Sequence, residues 1–364
     1  MPEVVLAIDA MGGDFGPSVI IEGAHLALSF FDANAFSPLK GNHAASPKTD
    51  VHFVFFGQER EIRSVLTRFP KVAAMSSIED APVTVNNHMK PLDALRHKED
   101  SNLGKALQSV ADGRAQAVVS AANTGAYVTL AKVIVGTLAD IERPAMSAVM
   151  PNMKDRCVIL DVGANVECSS ALLVKFALMG EVLARVLFRK ENPVVGLLNV
   201  GSEEMKGNAI VQHTGQWLHH IQEISTLRES CLPFHFHGFV EGDDIFKGVV
   251  DVIVTDGFSG NISLKSIEGS MVFVFHLMKQ AAKSSFLNKM AACMTIPTVK
   301  YIKKIVDPRL YNGSVFLGLK KIAVKSHGNA DAFSFSQAIC VAANMALSNF
   351  SDDIEQRLKL CVEA

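Results

Sequence analysis

Apolar positions in this chain gather into short unbroken runs: VVLAIDA (4–10), VHFVFFG (51–57), AQAVVSA (115–121), CVILDVGAN (157–165), PVVGLLNVG (193–201), DVIVTDG (251–257) and KIAVKSH (321–327). Continuous runs, as opposed to alternating ones, are expected of strands buried on both faces. Between them the apolar spacing becomes helical, at 17–31, 103–113, 124–136 and 172–188. This alternation predicts an α/β protein, a three-layer α/β/α sandwich with a mostly parallel sheet, whose working site lies where strand ends meet helix starts. All 364 residues are read as a single catalytic domain. Two segments break the rhythm. Residues 36–50, rich in Pro, Gly, Ser and Lys, read as a surface loop to which no function is assigned. Residues 266–306 read as a helical hairpin broken at Pro297 and projecting beyond the sheet.

Four strand ends carry the same chemistry: DAMGGD (9–14), SAANTGA (120–126), DVGANVE (161–167) and DGFSGN (256–261). Glycine lets backbone amides approach an anion, and a helix N-terminus adds unpaired donors and a favourable dipole. Any one of them is explained equally well by an ordinary helix cap. Four on one expected sheet edge favour a shared phosphate cradle, built from Asp9, Gly12, Gly13, Asn123, Thr124, Gly125, Asp161, Gly163, Ala164, Asn165, Asp256, Gly257, Ser259 and Gly260. A fifth segment, LLNVGSEEMKGN (197–208), places Lys206 on a glycine-flanked turn, where an ammonium serves as a point-charge phosphate ligand or simply as a solvated surface lysine.

Composition narrows the chemistry. Lys and Arg number 35 against 37 Asp and Glu, with 3 Tyr and 1 Trp, so neither a positive field nor stacking platforms favour nucleic acid. The 6 cysteines form no CxxC pair, which argues against a disulfide framework or a zinc site and fits a reducing cytoplasm. The first strand starts without a basic or cleavable leader, and no apolar run approaches a membrane span, so any membrane contact is expected to be peripheral. No GxSxG elbow or HExxH motif occurs, Cys168 has no histidine near it in sequence, and His213, His219 and His220 read as surface residues. A cradle with no enzyme nucleophile, no metal and no cofactor suggests that the bound phosphate is itself a reactant.

The motifs IDAMGGDFGP, SAANTGA, RPA (143–145), LDVGANVEC, GLLNVG followed by KGN, VEGDDIFKG, VTDGFSGNISLKS and SHGNAD, in this order over residues 3–350, closely resemble the bacterial phosphate acyltransferase (PlsX) family of phospholipid synthesis. The resemblance implies a homodimer with an isocitrate/isopropylmalate dehydrogenase-like fold. It implies transfer of a long acyl chain from acyl carrier protein to inorganic phosphate, giving acyl phosphate for a membrane glycerol-3-phosphate acyltransferase. It points to Lys206 and Asn261 as catalytic, and to His327 and Gly328 of the SHG motif as part of the cleft. It also implies that the hairpin packs at a dimer interface, with Phe286, Leu287, Met290 and Met294 at its apolar tip meeting the membrane and the acyl tunnel. Lys300, Lys303, Lys304 and Arg309 would face anionic lipid or the acidic carrier. The chain departs from the family pattern at Ala122, Asp243 and residues 311–314.

Four other readings compete. A nicotinamide dehydrogenase would need GxGxxG where DAMGGD stands. A short-chain phosphate acetyltransferase would use acyl coenzyme A, and a lipid or carrier scaffold would have no activity. A paired-aspartate phosphatase would place its carboxylates two residues apart, whereas Gly12 and Gly13 help to separate Asp9 from Asp14. Asp9 is therefore expected to end a strand and to form a wall of the cleft.

Overall fold

All seven apolar runs form strands, but four further strands have no such run. The computed structural model describes residues 3–32, 50–139, 141–227 and 234–363. Its strands are β1 Glu3–Asp9, β2 Asp50–Gly57, β3 Ser76–Asp80, β4 Ala117–Ser120, β5 Ala145–Pro151, β6 Arg156–Leu160, β7 Val194–Leu198, β8 His235–Val240, β9 Val252–Val254, β10 Ser314–Leu317 and β11 Ile322–Lys325. They make one 11-stranded sheet in the order β3-β2-β1-β4-β11-β10-β5-β6-β9-β7-β8. β3 and β8 close the two ends, where solvent exposure removes the need for a continuous apolar run. Of the loop expected at 36–50, all but Asp50 lies outside the described residues.

Strand direction corrects one expectation. β3, β2, β1, β4 and β11 run parallel, but β11–β10, β10–β5 and β5–β6 all pair antiparallel. Three reversals leave β6, β9, β7 and β8 pointing the other way. The C-terminal ends of β1, β4 and β11 therefore lie on one edge, here the upper edge, and those of β6, β9 and β7 on the opposite, lower edge. The four strand-end motifs do not share an edge. Hydrophobic runs carry no sense of direction, so the reversal is invisible in them.

Helices cover both faces. Ser170–Phe188 lies on β6 and β9, where a Cβ on Gly180 would stand 2.7 Å from Val252 Cγ1 and 3.5 Å from Leu160 Cδ2, and it buries Phe176 and Leu183 in the same core, while Thr124–Ile134 buries Tyr127 edge-on to Phe316, ring centroids 5.0 Å apart. The projecting hairpin is longer than its sequence suggests. Gly257–Lys283 begins directly after β9, nine residues before the expected start at 266, and Phe286–Val306 returns. The break falls at Ser284–Ser285, where Ser285 is extended and its side chain caps the amide of Asn288 at 3.1 Å. Pro297 lies inside the returning helix and does not end it. The outgoing helix starts at the lower edge and passes β6, where Leu264 and Ile267 pack against the core cluster that contains Cys157 and Ile159. The returning helix leads through the turn Pro308–Tyr311 into β10, which starts at the upper edge.

Candidate active site

On the lower edge, Asp161 organises the turn after β6. One carboxylate oxygen accepts from the amides of Met146, Gly163 and Ala164 at 3.0–3.1 Å, the other from the amide and side chain of Asn165 at 2.6 and 2.9 Å. Burial raises its pKa, while the bonds from Asn165, Ala164 and Met146 oppose the rise. The amides of Gly163, Ala164 and Asn165, expected to bind phosphate, are thus already used. Asp161 is a structural acceptor with every lone-pair direction engaged, not a base.

The helix after β9 is seated on this turn. The Gly257 amide donates to the Asn165 carbonyl at 2.7 Å, and Asp256 caps the Ser259 amide at 2.8 Å and its hydroxyl at 3.0 Å. Gly260 passes so close that a Cβ would stand 1.9 Å from the Asp161 carbonyl oxygen. One residue on, Asn261 presents its carboxamide to solvent; a Cβ on Gly163 would be 3.6 Å from it. The donors this edge offers are therefore side chains. The second is Lys206, on the neighbouring strand end after β7. Its turn is held by Asn199, whose amide donates to the Lys206 carbonyl at 3.1 Å, and by Gln212, which donates to the carbonyls of Met205 and Gly207. Gly207 takes φ +89°, and a Cβ there would collide with Asn199. The Lys206 ammonium is exposed, pairs with Glu203 at 2.8 Å, and is raised in pKa first by that bond.

The upper edge holds a second buried carboxylate. Asp9 ends β1 and accepts from the amides of Met11 and Gly12 at 3.1 and 3.0 Å, from Ser120 Oγ at 2.5 Å and from Asn102. Desolvation raises its pKa against these bonds. The Gly12 amide is again not free for a ligand. Asn123 caps the Ala126 amide at 3.1 Å and donates to the Asn87 carbonyl at 3.1 Å, which leaves the Thr124 and Gly125 amides as the helix-end donors without a partner inside the helix. Asp14 accepts from Asn87 at 2.7 Å, and its amide donates to the Gly328 carbonyl at 2.8 Å, so the turn containing Gly13 leans on the SHG motif. The helix that follows starts at Gly16. His327 at the strand end has its pKa lowered by desolvation first and then by the positive charges of Lys325 and Lys265.

The structure thus brings together Asp161, Gly163, Ala164, Asn165, Asp256, Gly257, Ser259, Gly260 and Asn261 on one edge, with Lys206 on the adjacent strand end. Asp9, Gly12, Gly13, Asn123, Thr124, Gly125, His327 and Gly328 stand on the other. The side chains of Phe286, Met290 and Met294 are exposed on the returning helix; that of Leu287 lies outside the described residues. Among the described residues no group of three or more His, Cys, Asp or Glu is placed to hold a metal.

Sequence reasoning missed Lys325. It is paired with Ser120 across β11 and β4, in a row that reaches Asp9, and is 8% exposed. Burial lowers its pKa to about 8, against the attraction of Asp9 and Asp14. Its only signal was a lysine inside an otherwise apolar strand. Between pH 8 and the ordinary value of 10.5 the unfolded chain binds more protons at this site than the folded one. Stability contributed here therefore rises with pH across that window, by about 3 kcal/mol in total. Lys325→Met, compared with wild type by chemical denaturation at pH 7.5 and pH 10.5, should lose about that much of its relative advantage. A difference that stays flat with pH would rule out a buried charged lysine.

The arrangement defines a class before it defines a member. The fold is similar to that of the EutD phosphotransacetylase from Staphylococcus aureus (TM-score 0.57, 14% identity, 95% of this chain and 94% of that one). A phosphotransacetylase from Streptococcus pyogenes gives 0.54 at 16% identity over the same shares of the two chains. A putative 4-hydroxythreonine-4-phosphate dehydrogenase from Salmonella typhimurium gives 0.51 at 12% identity, covering 95% of this chain and 100% of that one. At such identities the likeness concerns the fold.

The chain belongs to the family described as Fatty acid synthesis protein, which it matches over residues 4–353. It is 40% identical over 353 residues to the phosphate acyltransferase of Paramagnetospirillum magneticum, covering 97% of this chain and 93% of the relative. With the phosphate acyltransferase of Anaplasma phagocytophilum it shares 41% over 343 residues, 94% and 93% of the two chains.

Proposed function

We propose that this protein is a phosphate acyltransferase, and that it moves a long fatty acyl group from acyl carrier protein to inorganic phosphate. The observation that carries the reading is its full-length kinship, near 40% identity, with phosphate acyltransferases. In the reaction a phosphate oxygen attacks the thioester carbonyl, the carbonyl oxygen gathers negative charge, and the C–S bond breaks to give acyl phosphate and the carrier thiolate, which takes a proton from water. Phosphate is already ionised near neutral pH and a thiolate leaves readily, its parent pKa being about 8.5. What the protein must add is position and charge stabilisation. Lys206 neutralises the phosphate, and the Asn261 carboxamide donates to the thioester oxygen or to phosphate.

The outgoing helix links this edge to the hairpin. Phe258 and Ile262 beside Asn261 are exposed, as are Val272, Phe273, Val274 and Leu277 further along. From Asn261 to Val272 the helix rises about 16 Å, comparable with the length of a long acyl chain. In this reading the acyl group runs along this helix between the apolar patch at Phe258 and Ile262 and the one at Val272–Leu277, while its carbonyl meets phosphate at the base. The hairpin tip, with Phe286, Met290 and Met294, rests on the membrane surface or on a second copy in a homodimer, and acyl phosphate passes to a membrane glycerol-3-phosphate acyltransferase. Among the described residues no helix is long and apolar enough to cross a membrane. The protein would work at the cytoplasmic face as a peripheral enzyme.

The test is acyl transfer from palmitoyl carrier protein to phosphate, with product trapped as hydroxamate. Turnover with palmitoyl carrier protein and little with acetyl coenzyme A is expected. The reverse preference would replace the long-chain reading with a short-chain acetyltransferase, and no product from either donor would favour a scaffold. Lys300, Lys303 and Lys304 are all exposed near the end of the returning helix. Reversing the three to Glu should weaken binding to anionic vesicles or to carrier protein a hundredfold or more, at about 1 kcal/mol per lysine. Unchanged affinity for both would remove this face from the proposal.

A further inference from the structure

Arg156 begins β6 at the upper edge with its side chain only 6% exposed. Among the described residues its Nε finds no hydrogen-bond acceptor. The nearest carboxylate, Asp155, stands 3.6 Å away and is itself largely in solvent, and the face of the guanidinium lies 5.0 Å from the Phe188 ring centroid. A guanidinium carries five donors in a planar fork, and burying it so weakly matched is costly. That cost points to an acceptor from solution.

Beside Arg156 lies a cavity of about 50 Å³, whose other polar walls are Tyr311, Asn312, Gln337 and Asn344. Among the described residues no aspartate or glutamate lines it, and Val149 and Phe188 add apolar walls. The volume is several times what one water needs, enough for a compact group of a few atoms. Gln337 is 3% exposed, and its amide makes only a 3.3 Å bond to Ser336, so a further donor can turn to a ligand. Asn312 spends its side-chain N–H groups on Ser326 and Ser334 and Tyr311 its hydroxyl on Ile305, so the donors left for a ligand are the Arg156 fork and the Gln337 amide, which select a small oxyanion held two oxygens to two N–H groups.

We infer that this cavity is a second oxyanion site, distinct from the reaction site proposed on the lower edge. It takes a tetrahedral oxyanion of phosphate size, either free or as the monoester head of a lipid. Its walls join the hairpin to the SHG motif. Tyr311 donates to the Ile305 carbonyl at 2.8 Å and so ties the root of the hairpin. Asn312 donates to Ser326 Oγ at 2.8 Å and accepts from the His327 amide at 3.1 Å. An anion here sits where the hairpin joins the SHG turn.

The experiment is calorimetric titration of the full chain with sulfate, which has the right shape and forms no acyl product, paired with thermal unfolding. Wild type should bind saturably, and its Tm should rise by ~3 °C at a hundred times Kd. Lys206→Ala should keep this binding, whereas Arg156→Met should weaken it at least tenfold. Arg156→Lys, which keeps the charge and loses the fork, and Gln337→Leu serve if Arg156→Met does not fold; each should weaken binding severalfold. Butyl phosphate binding more tightly than phosphate would identify a lipid head as the occupant, and equal or weaker binding the free ion. Sulfate bound equally by wild type and the Arg156 variants, or not bound saturably by wild type, overturns the site.

Discussion

Lys206→Ala should lower acyl transfer to phosphate by about 100 to 1000-fold, the usual loss when one preorganised transition-state donor is removed, or about 3 to 4 kcal/mol. The same substitution should hardly change stability. The ammonium is exposed, its ion pair is with exposed Glu203, and surface pairs of this kind contribute little. The backbone of its turn is held by Asn199 and Gln212, neither of which depends on the lysine side chain. A large fall in kcat with an unchanged unfolding midpoint would therefore locate the effect in the reaction. Near-normal turnover would exclude Lys206 from it. Asn261→Ala should resemble it in kind, since its carboxamide is likewise exposed to solvent.

The second large effect is expected in folding. Gly260→Ala inserts a methyl group 1.9 Å from the Asp161 carbonyl oxygen and 2.9 Å from Thr255 Cγ2, where no real Cβ fits. Neither neighbour is a flexible side-chain end that can swing aside. The Asp161 carbonyl belongs to a turn fixed by five donors on one carboxylate, and Thr255 is bonded to Leu160 through its amide at 2.7 Å. The helix start must lift away, breaking the Gly257–Asn165 bond and pushing out Asn261. A loss of about 2 to 4 kcal/mol in stability is expected, visible as a lowered unfolding midpoint, together with a loss of turnover. Gly269→Ala is the matching control, because a Cβ at Gly269 would meet nothing within 4 Å. Equal stability of the two variants would show that the contact is not tight.

Much of this was legible in the sequence. Strands buried on both faces announce themselves as unbroken apolar runs, and Asp9, Asp161 and Asp256 were readable as strand-end residues because Gly, Asn and Ser follow them. Their use was not readable. Asp9 and Asp161 spend the very amides that seemed free for phosphate, and a carboxylate that accepts backbone N–H groups looks in sequence the same as one that waits for a ligand. Edge strand β3, SSIED, lacks an apolar run because it is only half covered. The row Asp9–Ser120–Lys325 joins residues more than a hundred positions apart, and only strand register assembles it. Pro297 misled for a physical reason: it removes one amide donor from an exposed helix, whereas Ser285 supplies a cap that begins a new one.

The outgoing helix Gly257–Lys283 is gripped by the core at Leu264 and Ile267 and exposed beyond. The tightest hold is at its start, where Gly257 and Gly260 are buried against the turn of Asp161 and Asn165. A rod clamped at one end sways most at the other: Asn261 stands one residue from the clamp and Lys283 about 33 Å from it, so a displacement of the tip reaches Asn261 greatly diminished.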